Sequence, residues 1–448
     1  MDKISAFKAY DIRGKVPEEL NEDLACKIGQ AYTKLIKCKL IVVGHDVRKS
    51  SVMLSDALSR GLNASGVNVI DIGLCGTEMI YFATPFFDAD GGIMITASHN
   101  PSEYNGMKFV KRNSVPFRYE SGLEEIERLI LKNEFDAGSE SKGSIIQKDI
   151  MNNFIEHLDK FYSSDKIKPF RVVVNGGNGC VGLALDAIES KLPVKLIKVF
   201  TNPDSDFPHG VPNPLLPENR QATIDAVKQN KADVGVAWDG DYDRCFFFDE
   251  NGNFVEGYYI VGILAKSILK EHPGSNIIHD PRLIWNTIKV VNENGGNAIQ
   301  SISGHTYIKA KMRETDAVYG GEMSAHHYFR ENSYSDSGMI PFLLVLQLMS
   351  EENKTLSQLV GEMVNEFPCS GEINSEIQNP AKKIDEIDKL YADGKKDYSD
   401  GLSIEYDKWR FNVRMSNTEP IIRLNVETKQ DVKLLQEKTN ELLNLIRS

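Results

Sequence analysis

Short apolar runs rich in Val and Ile recur along this chain, and polar turns and residues at helical spacing alternate with them. Leu40-Ile41-Val42-Val43-Gly44 reads as a strand, Ser55 to Ala64 as a helix, and Val67 to Ile72 as the next strand, closed by Gly73. Strand, helix and strand in that order predict a parallel pair with a helical crossover. The pattern returns at Arg171-Val172-Val173-Val174. There the glycine-rich turn Asn175-Gly176-Gly177-Asn178-Gly179 leads to a helix ending at Ser190 and a strand from Val194 to Val199. It returns again as a strand Asn276 to His279, a helix Trp285 to Asn292 and a strand Ala298 to Ile302. This is a repeat of pattern rather than of sequence, and it predicts three related α/β domains. After Pro368-Cys369-Ser370-Gly371 the pattern changes. Two strand-like runs, Trp409 to Val413 and Ile421 to Val426, precede an amphipathic helix from Val432 to Ile446, which predicts a smaller α+β domain. The polar stretch Gly138-Ser139-Glu140-Ser141-Lys142-Gly143-Ser144 and the turn Asp249 to Asn253 mark further boundaries. The resulting division is 1–146, 147–253, 254–368 and 369–448.

Length agrees, since 448 residues exceed what one core serves and suggest roughly three or four domains. The 52 Lys and Arg against 64 Asp and Glu leave a net charge of −12, which argues against nucleic acid or an anionic membrane as partner. Any phosphate site must therefore be a local cluster of basic groups. Six scattered cysteines include no C-x-x-C pair, so neither a zinc nor a disulfide framework is expected. Met1-Asp2-Lys3-Ile4-Ser5 lacks the apolar run of a signal peptide, and no run of about 18 apolar residues is present. The expectation is a cytoplasmic protein.

Candidate chemistry lies in the turns. Gly91-Gly92-Ile93-Met94-Ile95 is a buried strand, and Thr96-Ala97-Ser98-His99-Asn100-Pro101 follows it, with Lys108 close behind. A hydroxyl on an open turn at a strand end suits nucleophilic chemistry if neighbours such as His99 and Lys108 activate it. The flanks do not fit the Gly-x-Ser-x-Gly elbow of hydrolases. Val234 to Trp238 leads into Asp239-Gly240-Asp241-Tyr242-Asp243-Arg244. Three carboxylates at alternate positions repel one another unless a cation sits between them, and their hard oxygens suit Mg²⁺. An EF-hand is excluded because Arg244 takes the position that needs glycine and Cys245-Phe246-Phe247-Phe248 continues as a strand. A phosphatase using Asp239 as nucleophile is the rival reading. Gly320-Gly321-Glu322-Met323-Ser324-Ala325-His326-His327 offers Glu322 and Ser324 to sugar hydroxyls, with Gly304-His305-Thr306 and Arg282 in the same predicted domain. Arg414-Met415-Ser416-Asn417-Thr418-Glu419-Pro420, reinforced by Arg423, makes a phosphate cradle of a hairpin turn. The economical arrangement is one cleft on which all four loops converge.

These four loops, in this order, resemble the α-D-phosphohexomutase superfamily over essentially the whole chain. Phe7-Lys8-Ala9-Tyr10-Asp11-Ile12-Arg13-Gly14 and Gly320 to Arg330 are most similar to its bacterial phosphomannomutase group. The resemblance implies four domains, the first three α/β domains of one topology and the last a smaller α+β domain, with the active site in a central cleft. It implies that Ser98 is a phosphoserine and, with Asp239, Asp241 and Asp243, a ligand of Mg²⁺. The phosphoryl group would pass to a hexose monophosphate, and the 1,6-bisphosphate would reorient and return its other phosphate. A hexose 1,6-bisphosphate would also prime Ser98. Arg13, Lys108 and Arg244 would line the transfer site, and Tyr10 would bind substrate. Arg282, Glu322, Ser324, His305 and His326 would read the sugar, and Arg414, Ser416, Asn417, Thr418 and Arg423 would hold the idle phosphate. Lys108, His99 and His305 are the acid–base candidates. Reorientation suggests a last domain that moves as a lid, in a monomer or homodimer. The first expectation is interconversion of mannose 6-phosphate and mannose 1-phosphate, feeding GDP-mannose synthesis, and the alternative is a glucose phosphate or dual-specificity mutase.

Overall fold

Residues 3–135, 142–415 and 421–448 are described by the structure, a computed structural model. Residues 138–141 of the expected linker and Ser416 to Pro420 of the expected phosphate loop lie outside them. The chain divides into two compact units. One comprises residues up to Phe254 with Tyr328–Asn353, and the other Val255–His327 with Lys354–Ser448.

The first unit holds two sheets. In the first sheet Leu40–His45 lies between Gly91–Ile95 and Asn68–Leu74, parallel to both. Ile145–Gln147 extends it in parallel beside Asn68–Leu74, while Tyr104–Lys111 and then Ile12–Lys15 add antiparallel strands on the other side. Helix Glu22–Ile36 begins where Asn21 Oδ1 accepts from the Leu24 amide at 3.0 Å, and ends at Lys37 in a left-handed conformation. It packs on Ser51–Ala64 so closely that a Cβ on Gly61 would lie 2.1 Å from the Cys26 carbonyl oxygen. That second helix begins before the expected Ser55, because Asp46 Oδ1 accepts from the Arg48 amide and the Ser51 hydroxyl and so orders the turn ahead of it.

In the second sheet Val234–Trp238 runs parallel to Arg171–Asn175, which runs parallel to Lys195–Val199; Cys245–Phe248 pairs antiparallel to Val234–Trp238. The apolar helix Met339–Glu352 belongs to this unit. Trp238 Nε1 donates to the Gly338 carbonyl at 3.0 Å, and its ring meets Phe342 edge-on at 5.4 Å.

The second unit has a parallel trio, with Asn276–His279 between Asn297–Gln300 and Tyr319–Gly321. Its outer strand stops two residues before the expected Ile302, whose side chain is exposed. An antiparallel sheet runs Cys369–Glu376, Ile421–Thr428, Trp409–Met415, Leu402–Glu405, Lys395–Asp397. Helices Pro380–Leu390 and Val432–Arg447 cover a core of Ile387, Ile404, Phe411, Leu424, Val426 and Leu442. A buried pair joins the two parts: Arg410 donates to Glu427 and to the Arg282 carbonyl, each at 2.8 Å, and Glu427 also accepts from the Ile284 amide at 2.8 Å. A last domain moving alone would keep the Arg410–Glu427 pair but break its bonds to the Arg282 carbonyl and the Ile284 amide, and hydrogen bonds to charged groups are worth about 1.5–3 kcal/mol each. Three parallel-core α/β sheets followed by a sheet-rich α+β domain are the expected fold class.

Candidate active site

Ser98 sits just past the Gly91–Ile95 strand with φ of 48°, a left-handed conformation uncommon for a residue with a Cβ. Two contacts hold it there. Its amide donates to Thr96 Oγ1 at 2.8 Å, and its carbonyl accepts from Arg48 Nη2 at 2.8 Å. The same guanidinium donates to the carbonyls of Asn100, Pro101 and Tyr104 at 2.6, 2.7 and 2.9 Å, with Asp46 at 3.3 Å as its counter-ion. Arg48 therefore fixes the whole Ser98–Tyr104 turn, a role that no local motif signals.

The Asp239–Arg244 turn packs directly on this one. A Cβ on Gly240 would lie 2.6 Å from the Ser98 carbonyl oxygen, so only glycine permits the approach. The Ser98 hydroxyl donates to Asp239 Oδ2 at 2.7 Å and lies 3.1 Å from His99 Nδ1. Lys108 Nζ bridges Asp241 Oδ2 at 2.7 Å and Asp243 Oδ2 at 2.6 Å. Arg244 pairs with Asp239 through Nε at 2.8 Å and Nη2 at 2.7 Å. Thr77, another residue without a motif, donates its hydroxyl to Asp241 at 2.6 Å. From sequence alone the three aspartates repel one another unless a bound cation intervenes. The structure corrects this, because Lys108 and Arg244 already supply positive charge.

The site still fits a metal. Asp239, Asp241 and Asp243 are buried, and each offers an oxygen within 4.8 Å of the others. Asp241 Oδ1 is buried and has no hydrogen-bond partner among the described residues, an unmet demand that a divalent cation would satisfy.

Protonation follows from the contacts. Burial pulls the Lys108 ammonium down, yet Asp241 and Asp243 outweigh it and hold the group above the ordinary lysine range. Burial pushes the Asp241 carboxyl up, and Lys108 outweighs that and keeps it ionised. His99 is held well below the ordinary imidazole range by burial and by the charges of Arg244 and Arg13, so the ring is neutral. Its Nδ1 accepts from Arg244 Nη2 at 2.5 Å, since a guanidinium can only donate. In this arrangement Lys108 has no lone pair to take a proton, and that of His99 Nδ1 is engaged. Arg13 reaches the turn through Asn100 Oδ1 at 2.5 Å and pairs with Asp11. Tyr10 is half-buried one residue before Asp11.

In the second unit the sugar-reading candidates converge on Arg282. Arg282 pairs with Asp280 at 2.9 Å, donates to Ser324 Oγ at 3.2 Å, and lies 3.4 Å from Glu322. Glu322 Oε1 accepts from the Gly304 amide at 2.9 Å, and Gly304 takes φ of 117° there. That contact brings the His305 turn beside Glu322, with the His305 and His326 rings 6.3 Å apart. Arg414 and Arg423 are cross-strand partners, and both reach Glu372. Glu372 is a further residue the sequence did not single out. Ser416, Asn417 and Thr418 lie outside the described residues.

Comparison with known proteins gives a consistent result. Residues 5–137, 152–252 and 256–367 match phosphoglucomutase/phosphomannomutase α/β/α domains I, II and III, and 372–444 match the C-terminal domain. A protein of Xanthomonas campestris pv. campestris described as "Phosphohexose mutases" is 51% identical over 446 residues, 99% of each chain. The phosphomannomutase of Escherichia coli K12 is 50% identical over 454 residues, covering 100% of both. The crystal structure of a phosphoglucomutase/phosphomannomutase family protein from Burkholderia thailandensis superposes with a TM-score of 0.87 at 31% identity, covering 99% of this chain and 98% of that one.

Proposed function

The chain belongs to the phosphoglucomutase/phosphomannomutase family and is an isomerase that transfers phosphate within its substrate; from that premise we propose that it interconverts mannose 6-phosphate and mannose 1-phosphate. Its product would supply activated mannose for nucleotide-sugar synthesis, in the cytoplasm, as a monomer or homodimer. The choice of mannose over glucose is supported by the relatives named phosphomannomutase at about half identity.

The observation that carries the reading is the Ser98 hydroxyl 2.7 Å from Asp239, in a buried turn against three aspartates and two cations. In the forward half-reaction the bond between phosphorus and Ser98 Oγ breaks as a sugar hydroxyl forms its own bond to phosphorus, and the proton lost by that hydroxyl balances the one the departing Ser98 Oγ takes up beside Asp239. In the return half, Ser98 Oγ attacks the other phosphate of the bisphosphate as that phosphorus parts from its sugar oxygen. Asp239 Oδ2 is the acceptor nearest the serine proton, and the departing sugar oxygen takes up a proton to become the free hydroxyl. Little covalent machinery is needed, because such transfers depend on positioning and charge neutralisation. Asp239, Asp241, Asp243 and Ser98 would hold Mg²⁺, which when bound withdraws charge from the phosphoryl oxygens. Lys108, kept protonated by its carboxylates, serves as a positive charge rather than a base. Arg13 and Arg244 orient the transferring group. Arg282, Glu322, Ser324, His305 and His326 suit hydroxyl recognition, and Arg414 and Arg423, with Ser416, Asn417 and Thr418, suit the phosphate that is not reacting.

Incubation with a hexose 1,6-bisphosphate, followed by peptide mass analysis, tests the serine. One phosphoryl group on the Ser98 peptide is expected. Label at Asp239, or none, contradicts the assignment.

A further inference from the structure

Glu372 is a half-buried carboxylate, its side chain 11% exposed, that the reaction scheme leaves without a role. It stands on the Cys369–Glu376 strand beside Ile421–Thr428, and three guanidinium groups reach it: Arg414 at 3.2 Å, Arg282 at 3.4 Å and Arg423 at 3.5 Å. Arg414 and Arg423 face each other directly across the ladder, a like-charge pairing that destabilises a sheet unless an anion lies between. Asp280 faces Arg282 at 2.9 Å, and Asp400 lies 3.9 Å from Arg414. Glu372, Asp280, Asp400 and Glu322 thus meet the three guanidiniums before any ligand arrives. A cradle built only for tight phosphate binding would leave its arginines uncompensated.

We propose that Glu372 is an internal counter-anion that sets the affinity of the phosphate site: it holds Arg414 and Arg423 in place when the site is empty and competes for them when phosphate is bound. This rests on the phosphate-holding role given above to those two arginines. As the bisphosphate reorients, the cradle must let go of one phosphate and take the other, and ground-state binding that is too tight slows turnover instead of speeding it. A carboxylate within the cradle is a built-in limit on that affinity.

Calorimetry with inorganic phosphate tests the idea on the full-length protein. Removing one negative charge near the ligand is expected to make Glu372→Gln bind phosphate roughly three- to tenfold more tightly. KM and kcat for the sugar phosphate should fall together, leaving kcat/KM near that of wild type. Unchanged or weaker phosphate binding by Glu372→Gln overturns the inference. Should that variant fail to fold, Glu372→Asp keeps the charge but draws it back from the arginines. A smaller tightening is then expected, and unchanged affinity overturns the proposal. Arg414→Gln separates the two levels. If it binds phosphate as wild type does, the phosphate-site reading itself fails. If it loses binding while Glu372→Gln binds as wild type does, only the role of Glu372 fails.

Discussion

Four carbonyl oxygens of the Ser98–Tyr104 turn share one guanidinium, that of Arg48. Lysine has three donors at a single point and cannot reproduce that fork. Arg48→Lys should therefore lose about 2–3 kcal/mol in denaturant unfolding, because buried carbonyls lose their partners. It should also lower kcat by roughly tenfold or more, because Ser98 would no longer be held in place. Turnover at the wild-type rate would show that the turn holds itself. Ser98, Asp239, Asp241, Asp243 and Arg244 were legible because each lies on a polar turn right after an apolar strand. Arg48 and Thr77 were not, because their partners lie far along the chain: 50 residues separate Arg48 from Ser98, and 164 separate Thr77 from Asp241. Glu372 has the same difficulty, since its meaning comes from three arginines on other segments.

At the scale of elements, alternation and periodicity located the strands and helices well, and the differences have local causes. The second helix starts early because Asp46 orders its first turn, and the strand ending near Gln300 stops before the exposed Ile302. Helix packing was not legible, because glycine carries no periodic signal. Gly61→Ala places a methyl against the Cys26 carbonyl and should destabilise the protein by about 1–3 kcal/mol, read as a lower denaturant midpoint; an unchanged midpoint would mean that the helix pair can separate freely. The aspartate loop supports another prediction. Lys108 and Arg244 neutralise its charge, so chelation should abolish turnover, with recovery on adding Mg²⁺, while circular dichroism stays unchanged. Unfolding on chelation would make the metal structural instead.

At the scale of the molecule, the three-fold recurrence of strand, helix and strand was visible in the pattern of residues, and so was the change to α+β near Cys369. What the pattern cannot carry is long-range association. Met339–Glu352 follows the third α/β segment in sequence, yet it belongs to the first unit, with Phe342 against Trp238. A helix apolar on every side announces burial without naming its partner. On the proposed mechanism a serine carries the phosphoryl group between two positions of a hexose. The most direct test is turnover of mannose 1-phosphate and glucose 1-phosphate by wild type and Ser98→Ala, with Mg²⁺ and a trace of hexose 1,6-bisphosphate. Isomerised monophosphate is expected from wild type alone, faster with mannose. Free phosphate released equally by both proteins would contradict the mechanism and move the nucleophile to Asp239.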